Sequence, residues 1–354
     1  MVAIAATVTP ACGTTSWFDS VPDLAHAEAA IGHPLDLVVG KVRTLDHPDF
    51  SQAAADRALW MPLEMLRKGS AGIFFLESYD PQRIPVLFVP GVRGTPRNFH
   101  RMIETLNRSR FQAWMFNYPS GFRIESVAML LHDLLAELER KYHFEMLFIT
   151  AHSAGGLVTQ SYLNSDFSEG ARVKLLVSFS TPWMGHSLAG VGARNGLVTV
   201  PSWIDLSPES DFLISLRKST PTNLELPPHY VFFGYRRNPS LTSMASSDSV
   251  ISVASQVPPW IQDRAERYWG FDTTHTGILS DALVLKRYQA LVESVADCLQ
   301  RKRTQKSASA ARGSDSRRAH SPANRAGRRF RSGCNTARCT TVSALFAPQA
   351  CCEP

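Results

Sequence analysis

Three side chains that can carry out acyl transfer together occur in this chain in the order hydroxyl, carboxylate, imidazole. Ser153 lies in "TAHSAGG", Asp248 in "SSDSVISVASQ" and His275 in "GFDTTHTGILSD". A serine hydroxyl is a weak nucleophile unless a base stands beside it. His275 is the candidate base, taking the Ser153 proton and later returning it to a leaving group. Asp248 is the candidate orienting acid, holding one imidazole tautomer and stabilising the imidazolium. The chain order Ser, Asp, His suits a nucleophile placed on a turn between a strand and a helix.

The neighbours of Ser153 fit such a turn. A sharp strand-to-helix bend forces its apex residue into strained backbone geometry, so nearby residues must be small. Ala151, Gly155 and Gly156 meet that need. The hydroxyl then stands at a helix start, where the helix dipole favours developing negative charge. Backbone donors for a tetrahedral oxyanion are expected at Val92, in "FVPGVRGTPRNF", and at Ala154, with Arg93 as an alternative donor at the first position. Arg93, Trp183 and Met184 are substrate-binding candidates, although Trp183 and Met184 could equally be core residues at a strand end. Plainer readings stand beside the chemical ones. Asp248 could be a turn former among serines, leaving Asp272 and Asp281 as alternative acids. His275 could cap the last helix, and His152 should pack beneath the bend.

These residues need elements to position them. "IPVLFVPG", "FQAWMFNYPSG", "FEMLFITAH", "VKLLVSFSTP" and "HYVFFGYR" are short apolar runs of the kind that form strands buried on both faces. "AGIFFLESY" reads as an edge-type strand. Between them, Ile124, Val127, Leu131, Leu134, Leu135, Leu138 and Tyr142 recur at the spacing of one helical face. Leu59, Leu63 and Leu66 do the same before Gly69, which offers a stop. Alternating strands and helices imply a mostly parallel sheet covered on both sides, with chemistry at the carboxyl ends of its strands. Residues 187–228 form an insertion in which Trp203, Leu206, Phe212, Leu213 and Leu216 suit either a helical lid over an acyl pocket or a surface helix pair.

Six blocks in order, "PVLFVPG", "FNYPSG", "TAHSAGG", "STPWMG", "SDSVISVAS" and "HTGILSD", resemble the α/β-hydrolase superfamily. The likeness is to its lipase-like and GPI inositol-deacylase-like esterases, over roughly residues 84–300. It implies an α/β-hydrolase fold: a mostly parallel central sheet, helices on both faces and a small lid insertion. It further implies hydrolysis of carboxylic esters, often of lipids, without cofactor or metal, with Ser153 as nucleophile, Asp248 as acid and His275 as base. The chain departs from the family pattern at Ala151, which replaces a glycine, at Ser252, which replaces a proline, and at Pro90-Gly91, which replaces His-Gly. An acyltransferase or thioesterase on the same fold, or a binding protein with a spent site, are the alternative functions.

The chain has 354 residues, enough for one large α/β domain, here expected over residues 22–300. Of 37 Lys and Arg, 12 lie in residues 301–354, with only 2 of the 31 Asp and Glu, so residues 1–300 carry 25 basic and 29 acidic side chains. The basic balance therefore belongs to the tail, so the whole-chain charge is a poor argument for a nucleic-acid-binding fold, and a nucleic-acid partner is not expected. The tail, "RKRTQKSASAARGSDSRRAHSPANRAGRRF", lacks apolar periodicity and is expected to be disordered, either as a solvated appendage or as an electrostatic tether to an anionic membrane, in peripheral contact, or to nucleic acid.

None of the six cysteines falls between Cys12 and Cys298, so the expected core has no disulfide framework. Residues 1–21 contain "MVAIAATVTPACG", which resembles the end of a bacterial lipoprotein signal. A start codon further upstream would make Cys12 a lipidated first residue in the cell envelope; otherwise a cytoplasmic location is expected. No run of about 20 apolar residues occurs. "GVGARNG" has the wrong spacing for a dinucleotide loop, and "GVRGTPRNF" lacks the Lys-Ser/Thr of a phosphate loop. No His-Glu-x-x-His pair occurs. The expected ligand is a small-molecule or lipid ester; the oligomeric state is not legible.

Overall fold

A run of apolar residues without polar alternation is stable as a strand only when both faces are covered. The computed structural model places the central runs in that setting, and describes residues 32, 35–165, 172–187, 200–219, 226–236 and 246–318. The signal-like segment 1–21, parts of the 187–228 insertion and the tail beyond residue 318 lie outside the described residues. The chain divides into two units, Met1–Leu285 and Lys286–Pro354. The sheet and the site belong to the first.

The strands are β1 (Val38–Val42), β2 (Gly72–Phe75), β3 (Ile84–Val89), β4 (Phe111–Asn117), β5 (Leu147–His152), β6 (Val173–Phe179), β7 (His229–Tyr235) and β8 (Arg267–Asp272). They form one sheet in the order β1-β2-β4-β3-β5-β6-β7-β8. Only the β2–β4 pairing is antiparallel. Strand β3 has β4 on one side and β5 on the other, so the chain reverses its direction of travel across the sheet at β3. Loops leaving the carboxyl ends of β3 and β5 therefore border one crevice, the usual place for a ligand in an open α/β sheet. The register sets Val89 opposite Ala151, and His152 opposite Phe179. This aligns the ends of β3, β5 and β6.

The helices are α1 (Gln52–Trp60), α2 (Pro62–Arg67), α3 (His100–Thr105), α4 (Ile124–Tyr142), α5 (Ala154–Asn164), α6 (Pro201–Asp205), α7 (Asp211–Lys218), α8 (Val253–Gln256) and α9 (Pro259–Gln262), followed by a final helix, Ala282–Arg318. The expected face of α4 is buried: Val127, Leu131, Leu134, Leu135 and Leu138 all join the main core. Burial of each such side chain stabilises by about 1.5–3 kcal/mol. The helix ends at His143, in the left-handed conformation with φ 52°, whose amide donates to the Glu139 carbonyl. Among the described residues no helix is long and apolar enough to cross a membrane.

Four expectations need correction. The segment around "AGIFFLESY" is not an edge strand: β2 is fully buried between β1 and β4. The edges are β1 and β8, neither foreseen, because their exposed residues break up any apolar run. The helical stretch before Gly69 is two helices, split where Met61 leaves the helical region before Pro62, as proline demands of its predecessor. In the second unit the described residues continue the final helix from the expected disordered segment's start at 301 to Arg318. Lys, Arg, Gln and Ala there are good helix formers, so a nucleated helix can propagate without an apolar face.

Candidate active site

Strand β5 ends at His152 and α5 begins at Ala154, leaving Ser153 alone to turn the chain. Its backbone has φ 53° and ψ −131°, a conformation that costs a non-glycine residue on the order of 1–3 kcal/mol. The amide of Ser153 donates to the Phe179 carbonyl at 2.8 Å, which holds the bend against β6. The small neighbours are a steric requirement. A Cβ on Gly155 would lie 2.3 Å from the Val89 carbonyl oxygen, and one on Gly156 would lie 2.1 Å from Thr181 Oγ1. Gly91 faces Ser153 from the β3 loop, where a Cβ would come within 2.7 Å of Ser153 Cβ.

His275 arrives from a loop 122 residues later, with Nε2 3.0 Å from Ser153 Oγ. Its Nδ1 donates to Asp248 Oδ2 at 2.7 Å. A carboxylate can only accept, so a neutral imidazole bonded in this way turns an unprotonated Nε2 to the serine. The His275 backbone is also held at both ends: its amide donates to the Asp248 carbonyl at 2.9 Å, and its carbonyl accepts from His152 Nε2 at 2.8 Å. His152 thus packs against His275 and not against the hydroxyl. Burial, with the nearby His275 adding to it, lowers its pKa to about 3 and keeps it neutral.

Asp248 is fully buried in a tight turn in which Ser249 takes φ 81°. Its Oδ1 accepts from the amides of Val250 at 3.0 Å and Ile251 at 2.7 Å. Burial by itself raises the carboxyl pKa. The hydrogen bond and charge of His275, together with the two amides, outweigh burial and hold the group below the usual carboxylate range. Ser252, the residue that stands in place of a proline, accepts from the Ser255 amide and caps α8. The alternative acids go elsewhere. Asp281 accepts from the amides of Leu283 and Val284 at the start of the final helix, and Asp272 is exposed at the end of β8.

Val92 and Ala154 both line the cavity beside Ser153, and among the described residues neither amide has a hydrogen-bond acceptor. The Arg93 amide is already used, donating to Ser120 Oγ at 3.3 Å. The same loop is pinned by Tyr118, whose hydroxyl donates to the Pro90 carbonyl at 2.6 Å and whose phenol is pushed above its usual range by burial. No protein-family model matches the sequence, and no curated protein matches it. Among solved structures, Aspergillus fumigatus lipase B aligns at 16% identity and TM-score 0.47, over 61% of this chain and 54% of that one. The mature form of the Bacillus licheniformis lipase BlEst2 aligns at 17% identity and TM-score 0.50, over 61% of this chain and 94% of that one.

The chain has the α/β-hydrolase fold. Within this fold the cavity at Ser153 measures about 390 Å³. Beyond Val92, Ser153, Ala154 and His275, its walls are Pro182 and His186 after β6, Trp203 and Leu206 on and after α6, and Val250 and Ile251 beside Asp248. His186 Nε2 donates to the Val250 carbonyl at 2.8 Å, tying two of these loops together. A larger cavity of about 470 Å³ lies between α4, α5 and α7, and Ser153 is not among its lining residues.

Three substrate-binding candidates do not reach the cavity. Trp183 is wholly buried in the core, edge-on to His229 at 5.5 Å and to Trp260 at 5.8 Å. Met184 turns its thioether to Arg217 Nη1, which donates to it at 3.6 Å. Arg93, with φ 59°, directs its guanidinium away to Asp56 on α1, at 2.9 Å. Tyr118 and Ser120 are positioning residues that sequence reasoning quoted in "FNYPSG" without a role. Their signal is a pair of polar side chains just past the end of β4, the strand beside β3. Val250 and Ile251 were missed as walls, although they directly follow the candidate acid.

Proposed function

We propose that the protein is a serine hydrolase of carboxylic esters with an apolar acyl group, acting through an acyl-enzyme on Ser153. The observation that carries this reading is the 3.0 Å contact between His275 Nε2 and Ser153 Oγ, continued from His275 Nδ1 to Asp248 at 2.7 Å. As Ser153 Oγ attacks the ester carbonyl carbon, His275 Nε2 takes the hydroxyl proton. The carbonyl oxygen becomes an oxyanion and accepts from the Val92 and Ala154 amides. Collapse breaks the carbon–oxygen bond to the alcohol, which leaves with the proton from His275. Water then gives a proton to His275, attacks the acyl-serine carbon, and releases the acid with Ser153 restored.

General base help is worth on the order of 10²–10⁴-fold, and one oxyanion donor about 10²–10³-fold. Asp248 stays ionised because its pKa is held low, so it stabilises the imidazolium in both steps. The mainly apolar walls at Trp203, Leu206, Val250 and Ile251 favour a lipid-like acyl group.

The decisive experiment is Ser153→Ala measured on p-nitrophenyl butyrate, with a fluorophosphonate probe on both proteins. The expected result is probe labelling at Ser153 in the wild type, none in the variant, and a loss of turnover of about 10⁴-fold or more with an unchanged melting temperature. Wild-type activity in the folded variant would refute the reading.

A further inference from the structure

Helix α6 has five residues, too few to hold its place by its own hydrogen bonds. Its position comes from outside. Asp205 is buried, and both its oxygens are engaged by the start of α4: Oδ1 accepts from Arg123 Nη1 at 2.8 Å and Oδ2 from the Ile124 amide at 2.7 Å. Helix α4 has no side-chain cap of its own, so this carboxylate satisfies one of its orphan amides and adds negative charge where the dipole favours it.

The remaining ties lie on either side. The Ser202 amide donates to the Gly121 carbonyl at 3.3 Å, and the Leu206 carbonyl accepts from the His186 amide at 2.8 Å. Ser210 Oγ donates to the Asp205 carbonyl at 2.6 Å. Trp203, between these anchors, meets Trp60 edge-on at 5.4 Å. The two cavity-lining residues of this stretch, Trp203 and Leu206, are therefore flanked by fixed points.

We infer that Pro201–Leu206 is a fixed wall and not a moving lid, that Trp203 and Leu206 set the length of acyl chain the cavity accepts, and that Asp205 is the positioning residue holding them. The inference rests on the hydrolase reading above. It concerns the acyl group because, once the alcohol has left, only the acyl group remains bonded to Ser153 Oγ beside this wall. Each methylene sheltered there should raise kcat/KM about fourfold until the chain meets Trp203.

The test is kcat and KM for p-nitrophenyl acetate, butyrate, octanoate and dodecanoate, with wild type, Trp203→Ala, Asp205→Asn and Arg123→Met, each with and without micelles. Trp203→Ala should move the chain-length optimum up by about two methylenes or more. Asp205→Asn keeps an acceptor for Ile124 but loses the charge facing Arg123. It should flatten the chain-length preference through KM, leaving the acetate kcat and the rate of fluorophosphonate labelling within about twofold. Arg123→Met should do the same, and the double variant no more than either single one.

An unmoved chain-length profile in the variants would overturn the inference, as would an equal fall in kcat on every ester. So would a sharp rise in wild-type activity on micelles, the mark of a lid that moves. Should Asp205→Asn fail to fold, Trp203→Ala decides, because its side chain is only partly buried. A wild type that neither hydrolyses these esters nor takes the probe overturns the hydrolase reading and the wall with it; a wild type that does both, with unshifted variants, overturns the wall alone.

Discussion

Replacing Asp248 by Asn tests the proposed chemistry at its most constrained point. Oδ1 of Asp248 accepts two amides, from Val250 and Ile251, so the amide oxygen of the new side chain must take that place. Its NH₂ group is then forced toward His275 Nδ1, where the carboxylate oxygen stood at 2.7 Å. Facing a donor, Nδ1 becomes the acceptor and the imidazole proton moves to Nε2, the atom 3.0 Å from Ser153 Oγ. The base has then lost its lone pair. Reverting to the working tautomer sets two donors against each other, at about 1–3 kcal/mol for an unmet buried group. The lost charge-assisted bond adds about 1.5–3 kcal/mol.

Together these approach the fall of about 10⁴ in kcat seen when a triad aspartate becomes asparagine, or about 5 kcal/mol. The assay is kcat on p-nitrophenyl butyrate at neutral pH, with a denaturation curve as a folding control. A folded Asp248→Asn protein whose kcat stays within about tenfold of wild type would refute the assignment of Asp248 as the residue that orients His275. Asp272→Asn, at an exposed site, is the matched control and should leave kcat unchanged.

Two further outcomes follow from the same geometry. Gly91→Ala places a methyl 2.7 Å from Ser153 Cβ and 3.1 Å from Oγ, so the serine must shift; kcat/KM should fall by about 10²-fold while the protein stays folded. Burial lowers the pKa of His229, as of His152, to about 3, against about 6.5 unfolded. The unfolded chain therefore binds more protons between pH 6.5 and 3, and stability falls on acidification through that window by up to about 1.4 kcal/mol per pH unit for each histidine. Urea midpoints across this range should show a shallower slope for His229→Gln than for wild type, and an unchanged slope would refute the coupling.

The parts of the molecule legible in the sequence are those whose physical requirement is local. The crowding around Ser153 demands small residues within three positions, and "TAHSAGG" shows them directly. Strands β3 and β5 are continuous apolar runs because both faces are covered, and the buried face of α4 repeats at helical spacing. Strand β8 was not legible because its exposed Arg267 and Asp272 give no apolar run; backbone pairing to β7 makes it a strand. Trp183 and Trp203 offered no local difference, yet one fills the core and the other borders the cavity. Asp205, with two partners more than 80 residues away, looks like any surface acid on paper.

What the sequence alone determined, then, is the strained turn that presents Ser153, since van der Waals overlap between near neighbours can be judged without knowing the rest of the chain. Which carboxylate faces His275, which tryptophan borders the cavity and which acid caps α4 were decided only by tertiary structure. The Asp248–His275 and Asp205–Ile124 contacts join residues 27 and 81 positions apart. Their geometry is a property of the assembled sheet and its loops, which no short window of residues contains.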